Sequence, residues 1–113
     1  MAKQNPFGNV PGLGNMVKQV QKMQEDTVRV EEELKNERIE GTSGGGMVKT
    51  VANGHGEVLE IKIDSQVVDP EDVEMLEDLV ISAVRDALEK SSELKQAKLQ
   101  EITGGLSLPP GLF

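Results

Sequence analysis

A largely apolar stripe at heptad spacing runs along the first predicted helix and limits what this chain can fold into. The spacing alternates between four and three residues through Met16, Val20, Met23, Thr27, Val30 and Leu34. This alternation is typical of a coiled-coil seam, and so narrow a stripe cannot face water without exposing a continuous apolar strip. The stripe therefore predicts a partner helix, from this chain or from a second copy. We expect a homodimer whose interface contains Met16, Val20, Met23, Val30 and Leu34.

Composition narrows the class of protein. A chain of 113 residues has room for one modest domain, and its two aromatic residues, Phe7 and Phe113, lie in the flanking segments, so the core must be aliphatic. Cysteine is absent, which excludes disulfides and thiolate metal sites and is compatible with a reducing cytosol. No hydrophobic signal or membrane-spanning segment follows Met1, so we expect a cytoplasmic protein.

The charge is distributed unevenly along the chain. A net charge of −8 argues against nucleic acid as a partner, because phosphate binding depends on Lys and Arg. Residues 1–24, however, contain Lys3, Lys18 and Lys22 and no acidic residue, whereas residues 70–113 carry mostly acidic charge. Binding depends on the local patch rather than on the total charge. The start of the first helix is therefore the candidate for contact with an anion.

The sequence predicts a helix, three strands and a second helix. The first helix is expected over residues 16–36, after Asn15 as N-cap, and the second from Pro70, after Asp69 as N-cap, to about Ile102. The strands are expected over residues 37–43, 47–52 and 58–63. Glycine-rich segments separate the strands and are typical of hairpin turns, because they tolerate positive φ angles.

The third predicted strand indicates how the layers pack. Leu59, Ile61 and Ile63 alternate with Glu60 and Lys62, which predicts one buried and one wet face. We therefore expect an α+β fold: a two-layer α-β-β-β-α protomer with a three-stranded antiparallel sheet, dimerised through its helices. The domain is expected over residues 15–103, between a flexible N-terminal tail at residues 1–14 and a C-terminal tail at residues 104–113.

Several runs of sequence occur in an order typical of one protein family. They are MVKQVQKMQ from Met16, GTSGGGMVK from Gly41, the turn Asn53-Gly54, DPEDVEMLEDLV from Asp69 and the ending GGLSLPPGLF from Gly104. Together they resemble the YbaB/EbfC family of bacterial nucleoid-associated proteins over nearly the whole chain. The resemblance implies a homodimer with intertwined helices, which binds double-stranded DNA around the bacterial chromosome and has no known catalytic activity.

Two sets of residues are candidates for DNA contact. Lys18, Gln19 and Lys22 lie near the start of the first helix, where unpaired N–H groups and the helix dipole favour phosphate. A solvated helix face explains these residues equally well. Lys95 and Lys98 form a second set near the end of the last helix. Acidic residues are interleaved with that set, so exposed ion pairs are the better explanation there.

No motif in the chain points to catalysis, a metal or a cofactor. The loop around Gly44 lacks the Gly-Lys-Ser/Thr ending of a phosphate-binding loop and precedes a strand, so it is better explained as a hairpin. His55 is the only histidine and is expected to be an exposed turn residue, without partners for a metal site or a catalytic relay. Binding of single-stranded nucleic acid is disfavoured because the folded region offers no aromatic stacking platform. We expect neither an enzyme nor a small-molecule substrate.

Two functions are consistent with these observations. The first is a nucleoid-associated homodimer that binds duplex DNA with limited sequence preference and influences chromosome organisation or gene expression. The second is a protein-interaction module that recruits replication or recombination and repair proteins through the polar sheet face or the apolar tails. In that second case Phe7 and residues 106–113 are docking elements, and deletion of residues 106–113 should abolish partner capture while leaving DNA affinity unchanged.

Overall fold

A computed structural model of the protein describes residues 12–103. In chain order its main elements are α1 (Leu13–Lys35), β1 (Ile39–Ser43), β2 (Val48–Ala52), β3 (Val58–Ile63) and α2 (Val73–Thr103). This order confirms the predicted α+β fold, and the third strand has the predicted bounds. Apart from residues 12–14, the two predicted tails lie outside the described residues. Neither helix within residues 12–103 combines the length and the hydrophobicity that a membrane span requires.

The first helix begins earlier than predicted. Gly12 is its N-cap residue, with a φ of 81° in the left-handed region, and the Met16 N–H donates to the Gly12 carbonyl at 3.0 Å. Asn15, the predicted N-cap, therefore lies inside the helix. Glycine adopts this backbone conformation without strain, which makes Gly12 a suitable place for the chain to change direction.

The second helix begins later than predicted, because two aspartates compete for the N-cap position. The Asp69 carboxylate accepts the Glu71 N–H at 2.9 Å and closes a separate turn that contains Pro70. The Asp72 carboxylate then accepts the Met75 N–H at 3.1 Å, which is the hydrogen bond of a true N-cap. Asp72 therefore caps α2, and the predicted start at Pro70 was wrong by three residues.

The three strands form one antiparallel sheet in the order β1-β2-β3, joined by two hairpins as predicted. The second hairpin turn is closed by Asn53, whose side-chain oxygen accepts the N–H groups of His55 at 2.9 Å and Glu57 at 3.1 Å. The register shifts beside Ala52, so that Val58 rather than Leu59 lies opposite it. This irregularity displaces Leu59 from the regular alternation of the strand.

The helix α2 packs on β1 and β2 through small residues. Ala83 and Ala87 are fully buried, and a Cβ atom added to Gly41 would lie 2.7 Å from the Ala87 Cα. The Ser91 hydroxyl, which is also buried, donates to the Asn53 carbonyl at 2.7 Å. Helix and sheet therefore meet at backbone distance, which only small side chains permit. The apolar core consists of Val30, Leu34, Val48, Val51, Ala52, Ala83 and Ala87.

The C-terminal end of α1 is attached to the turn between β2 and β3. Leu34 is fully buried, and its carbonyl accepts the Gly54 N–H at 2.7 Å. The His55 ring lies with Nε2 2.9 Å from the Glu31 carbonyl oxygen and Nδ1 3.4 Å from the Glu31 carboxylate. With a side chain only 24% exposed, His55 is a structural contact rather than the exposed turn residue that the sequence predicted.

The third strand is left uncovered on the face that α2 occupies. A helix about 10 Å wide spans roughly two strands spaced about 4.8 Å apart, and α2 lies over the first two. The apolar residues of β3 are consequently 42–49% exposed, namely Val58, Leu59, Ile61 and Ile63. The predicted burial of one face of this strand is therefore absent from the single chain.

Candidate nucleic-acid interface

The heptad stripe of α1 is divided between two environments. Val30 and Leu34, at its C-terminal end, are 4% and 0% exposed and belong to the core of the protomer. Met23 is partly buried, whereas Met16 and Val20 are 61% and 52% exposed. The first part of the stripe therefore has no cover, and the last part is an intramolecular seam. Two of the five residues predicted for the dimer interface, Val30 and Leu34, are therefore already buried within their own chain.

The uncovered part of α1 carries the first set of candidate DNA-binding residues. Residues 14–22, which we call the arm, are all exposed and include Lys18, Gln19 and Lys22. At about 100° of rotation per residue, the two lysines lie on the opposite side of the helix from Met16 and Val20. Neither lysine forms an ion pair within residues 12–103. A helix pairing through the apolar stripe would leave both ammonium groups available to an anion.

The second set of candidates lies elsewhere and is more constrained. The Lys98 ammonium is 3.2 Å from the Glu33 carboxylate and 3.9 Å from that of Glu37, and its side chain is 24% exposed. Lys95 is half-buried and lines a shallow cavity of about 340 Å³ beside the β2–β3 turn. Glu33 follows Lys18 by about 22 Å of helix, so the structure does not bring the two sets together in one protomer.

Two other charged residues of α2 form hydrogen bonds with backbone groups of the edge strand β1. The Thr42 N–H donates to the Asp86 carboxylate at 3.0 Å, and the Lys90 ammonium lies 3.1 Å from the same carboxylate and 3.3 Å from the Glu40 carbonyl. The hydrogen bond from Thr42, supported by Lys90, holds the pKa of Asp86 below its ordinary value. These side chains cap backbone groups that β1 would otherwise present to solvent or to another strand.

The model of the YbaB/EbfC DNA-binding family matches residues 9–106. The chain belongs to this family. It is a family of DNA-binding, nucleoid-associated proteins rather than of enzymes, which confirms the prediction of a non-enzymatic DNA-binding protein.

Individual relatives agree with the family. A nucleoid-associated protein of Acetivibrio thermocellus is 52% identical over 110 residues, covering 94% of this chain and 97% of the relative. The nucleoid-associated protein Bcer98_0019 of Bacillus cytotoxicus is 51% identical over 106 residues, with the same coverage. The crystal structure of the uncharacterized protein HP0035 from Helicobacter pylori matches with a TM-score of 0.69 at 27% identity, covering 79% of this chain and 94% of that one.

Two basic residues of this YbaB/EbfC family member were missed by sequence reasoning. Lys49 of β2 lies directly opposite Lys62 of β3, and both are exposed. Their outward positions follow from the alternation of each strand. Their juxtaposition does not, because the register shift beside Ala52 prevents a simple count outward from the turn. The sequence therefore contained the signal for exposure but not the signal for pairing.

Proposed function

We propose that two copies of this chain form a homodimer that binds double-stranded DNA through its arms at the bacterial nucleoid. Family membership supports DNA as the ligand, and the names of the relatives support the nucleoid location. The observation that carries the proposal is the arm itself. It is an exposed helical segment with two unpaired lysines on one side and an uncovered apolar stripe on the other.

The charge pattern of α1 supports DNA contact at the arm rather than along the whole helix. Lys18 and Lys22 contact backbone phosphates, and Gln19 adds a hydrogen-bonding side chain beside Lys22 on the helix surface. From Glu25 onwards the helix becomes predominantly acidic, which disfavours DNA close to the sheet. Lys95 and Lys98 are weaker candidates, because Lys98 would have to leave Glu33. Phosphate contacts carry no sequence information, so we expect limited sequence preference.

Two uncovered apolar surfaces support the homodimer. One is the exposed stripe at Met16 and Val20, and the other is β3, whose apolar side chains are about half exposed. Within residues 12–103 no side chain forms a hydrogen bond to the β3 backbone, in contrast to the capped edge of β1. A second copy that adds along β3 covers this surface. The proposed interface therefore includes the sheet, in addition to Met16, Val20 and Met23 of the helix stripe.

The test is fluorescence anisotropy on a labelled duplex across a salt series. We compare the wild type with Lys18→Gln/Lys22→Gln and with a control of equal charge change, Lys35→Gln/Arg85→Gln, at exposed positions outside the arm. Each lost phosphate contact lowers the magnitude of the log–log salt slope by about 0.9, so four lost contacts per dimer lower it by between three and four, roughly. The control variant should retain the wild-type slope.

Two results would contradict the proposal in different ways. An arm variant with the wild-type slope, at unchanged oligomeric state, would remove the arm as the contact surface. Failure of the intact wild type to bind the duplex at low salt would remove DNA binding itself. The role of recruiting replication or recombination and repair proteins would then become the leading one.

A further inference from the structure

The sheet carries a basic pair that the arm contact does not use. Lys49 and Lys62 are direct cross-strand partners on β2 and β3, and the Lys62 side chain is 71% exposed. The Cβ atoms of directly opposite residues are about 5 Å apart, and like charges at that spacing destabilise the pair. An anion placed between the two ammonium groups would remove this repulsion.

The pair lies on the face of the sheet that α2 does not cover. Gly41, which contacts α2, is in register with Thr50 and Ile61, so these three residues point toward the helix layer. Side chains alternate along each strand, so the neighbouring row of Thr42, Lys49 and Lys62 points to the opposite side. All three residues of that row are exposed, and we call it the open row.

Acidic residues, among them Glu40 and Glu60, also lie on this face, but Lys49 and Lys62 are not each matched by a carboxylate of their own. The Glu60 carboxylate lies 3.4 Å from Lys62 but also 3.1 Å from Arg38, so two cations share it. The Asp64 carboxylate accepts the Gln66 N–H at 2.8 Å. Lys49 forms no ion pair in the part of the chain that the structure describes. The row thus carries a local pair of lysines, and within residues 12–103 the carboxylate that ion-pairs with Lys62, Glu60, is shared with Arg38.

We propose that the open row is a second contact surface for the phosphates of duplex DNA, separate from the arm. The inference rests on the proposed DNA-binding function and adds a second site to it. Lysine suits phosphate as a mobile point charge, and each contact releases condensed counterions. About 25 Å of helix separates Lys18 from the end of α1 at Lys35, so the arm and the sheet contact different phosphates. A molecule with both surfaces holds two duplexes together.

A duplex-capture assay tests this inference. One duplex is fixed to beads, a second duplex carries a fluorophore, and the fluorescence retained on the beads reports protein that holds both. We expect Lys49→Gln/Lys62→Gln to bind a single duplex in anisotropy but to retain about tenfold less of the second duplex at physiological salt. The control Lys35→Gln/Arg85→Gln, with the same change in charge, should capture as the wild type does.

The outcomes separate this inference from the proposed function. Capture by Lys49→Gln/Lys62→Gln at the wild-type level would overturn the second site while leaving DNA binding through the arm intact. The same conclusion would follow if the wild type bound one duplex but captured no second one. An equal loss of capture in the control variant would show a general charge effect and would also overturn it. Absence of any DNA binding by the wild type would instead reject the proposed function.

Discussion

The two edge strands of the sheet, β1 and β3, differ in how far the rest of the chain covers them. At β1, Gly41 allows α2 to approach at backbone distance, and Asp86 and Lys90 hydrogen-bond the outward backbone groups of the strand. At β3, the apolar side chains are 42–49% exposed, and no side chain within residues 12–103 forms a hydrogen bond to the backbone of this strand. The single helix α2 is wide enough to cover about two of the three strands, so it leaves β3 exposed. The comparison indicates that β1 is covered within the chain, whereas β3 is left exposed for the second copy of the proposed homodimer.

Ile61→Lys should have the largest effect, because it places a charge on the uncovered part of β3, on the face of the sheet that carries α2. Ile61 is 43% exposed in the single chain and should be buried in the proposed dimer. In a two-fold interface each substitution occurs twice. We expect the dimer dissociation constant to rise about a hundredfold or more, equivalent to about 2.7 kcal/mol. Sedimentation equilibrium over a range of protein concentrations measures it.

Ile81→Lys is the matched control for that prediction. Ile81 is 49% exposed but lies on α2 about 200° around the helix from the buried Ala83, so it faces away from the sheet. The control should dissociate at the wild-type concentration. Equal dissociation constants for the two variants would contradict the assignment of β3 to the interface.

Gly41→Ala tests the close packing of α2 on β1, because the added methyl group should push the helix away from the strand. The added Cβ would meet backbone atoms, among them the Ala87 Cα at 2.7 Å, and backbone cannot rotate aside. We expect the free energy of unfolding to fall by about 2–3 kcal/mol, as for overpacked cores. Urea unfolding at one fixed protomer concentration measures the change. Gly14→Ala, where nothing lies within 4 Å, is the control, and equal stability of the two variants would argue against close packing at Gly41.

Asp86→Asn should have the smallest effect, and its signature is pH dependence. The Thr42 N–H and Lys90 lower the pKa of Asp86 in the folded chain. Stability from a carboxylate with a lowered pKa is present above the unfolded-state pKa and is lost as pH falls through the folded-state pKa. We therefore expect wild type to exceed Asp86→Asn in unfolding free energy at neutral pH, and the difference to shrink in acid.

Urea titrations from neutral pH to about pH 3 check this expectation. Asp78→Asn serves as the control, because Asp78 is an exposed carboxylate of the same helix that accepts no hydrogen bond from β1. A difference between wild type and Asp86→Asn that stays constant over the titration would show that the cap contributes through shape rather than charge.

Local patterns were enough to predict the order of elements. The alternation over residues 58–63 and the glycine-rich turns each act within a few residues, so the sequence specifies them directly. The start of α2 was missed because Asp69 and Asp72 both have the chemistry of an N-cap, and Pro70 favoured the wrong one. Both signals are local and of similar strength, so the sequence pattern alone could not decide between them.

The partners of the candidate site residues could not be predicted. A heptad stripe does not reveal whether its partner helix comes from the same chain, and Val30 and Leu34 turned out to be internal. Lys98 meets Glu33 across 65 residues of sequence, which no local pattern encodes. By contrast, the sequence indicated that Lys18 and Lys22 are available, because no acidic residue occurs before Glu25. Both are exposed in the structure, on the part of α1 that lies before its buried residues.

The contacts of α1 with the β2–β3 turn make the helix a lever. Leu34 on Gly54 and Glu31 on His55 fix its C-terminal end, whereas residues 14–22 are all exposed. The helix is about 35 Å long, so a tilt of about 10° at the turn moves the far end by about 6 Å. In the proposed homodimer, the contacts of α1 with Gly54 and His55 therefore set the distance between the tips of the two arms, although these contacts lie far from the DNA.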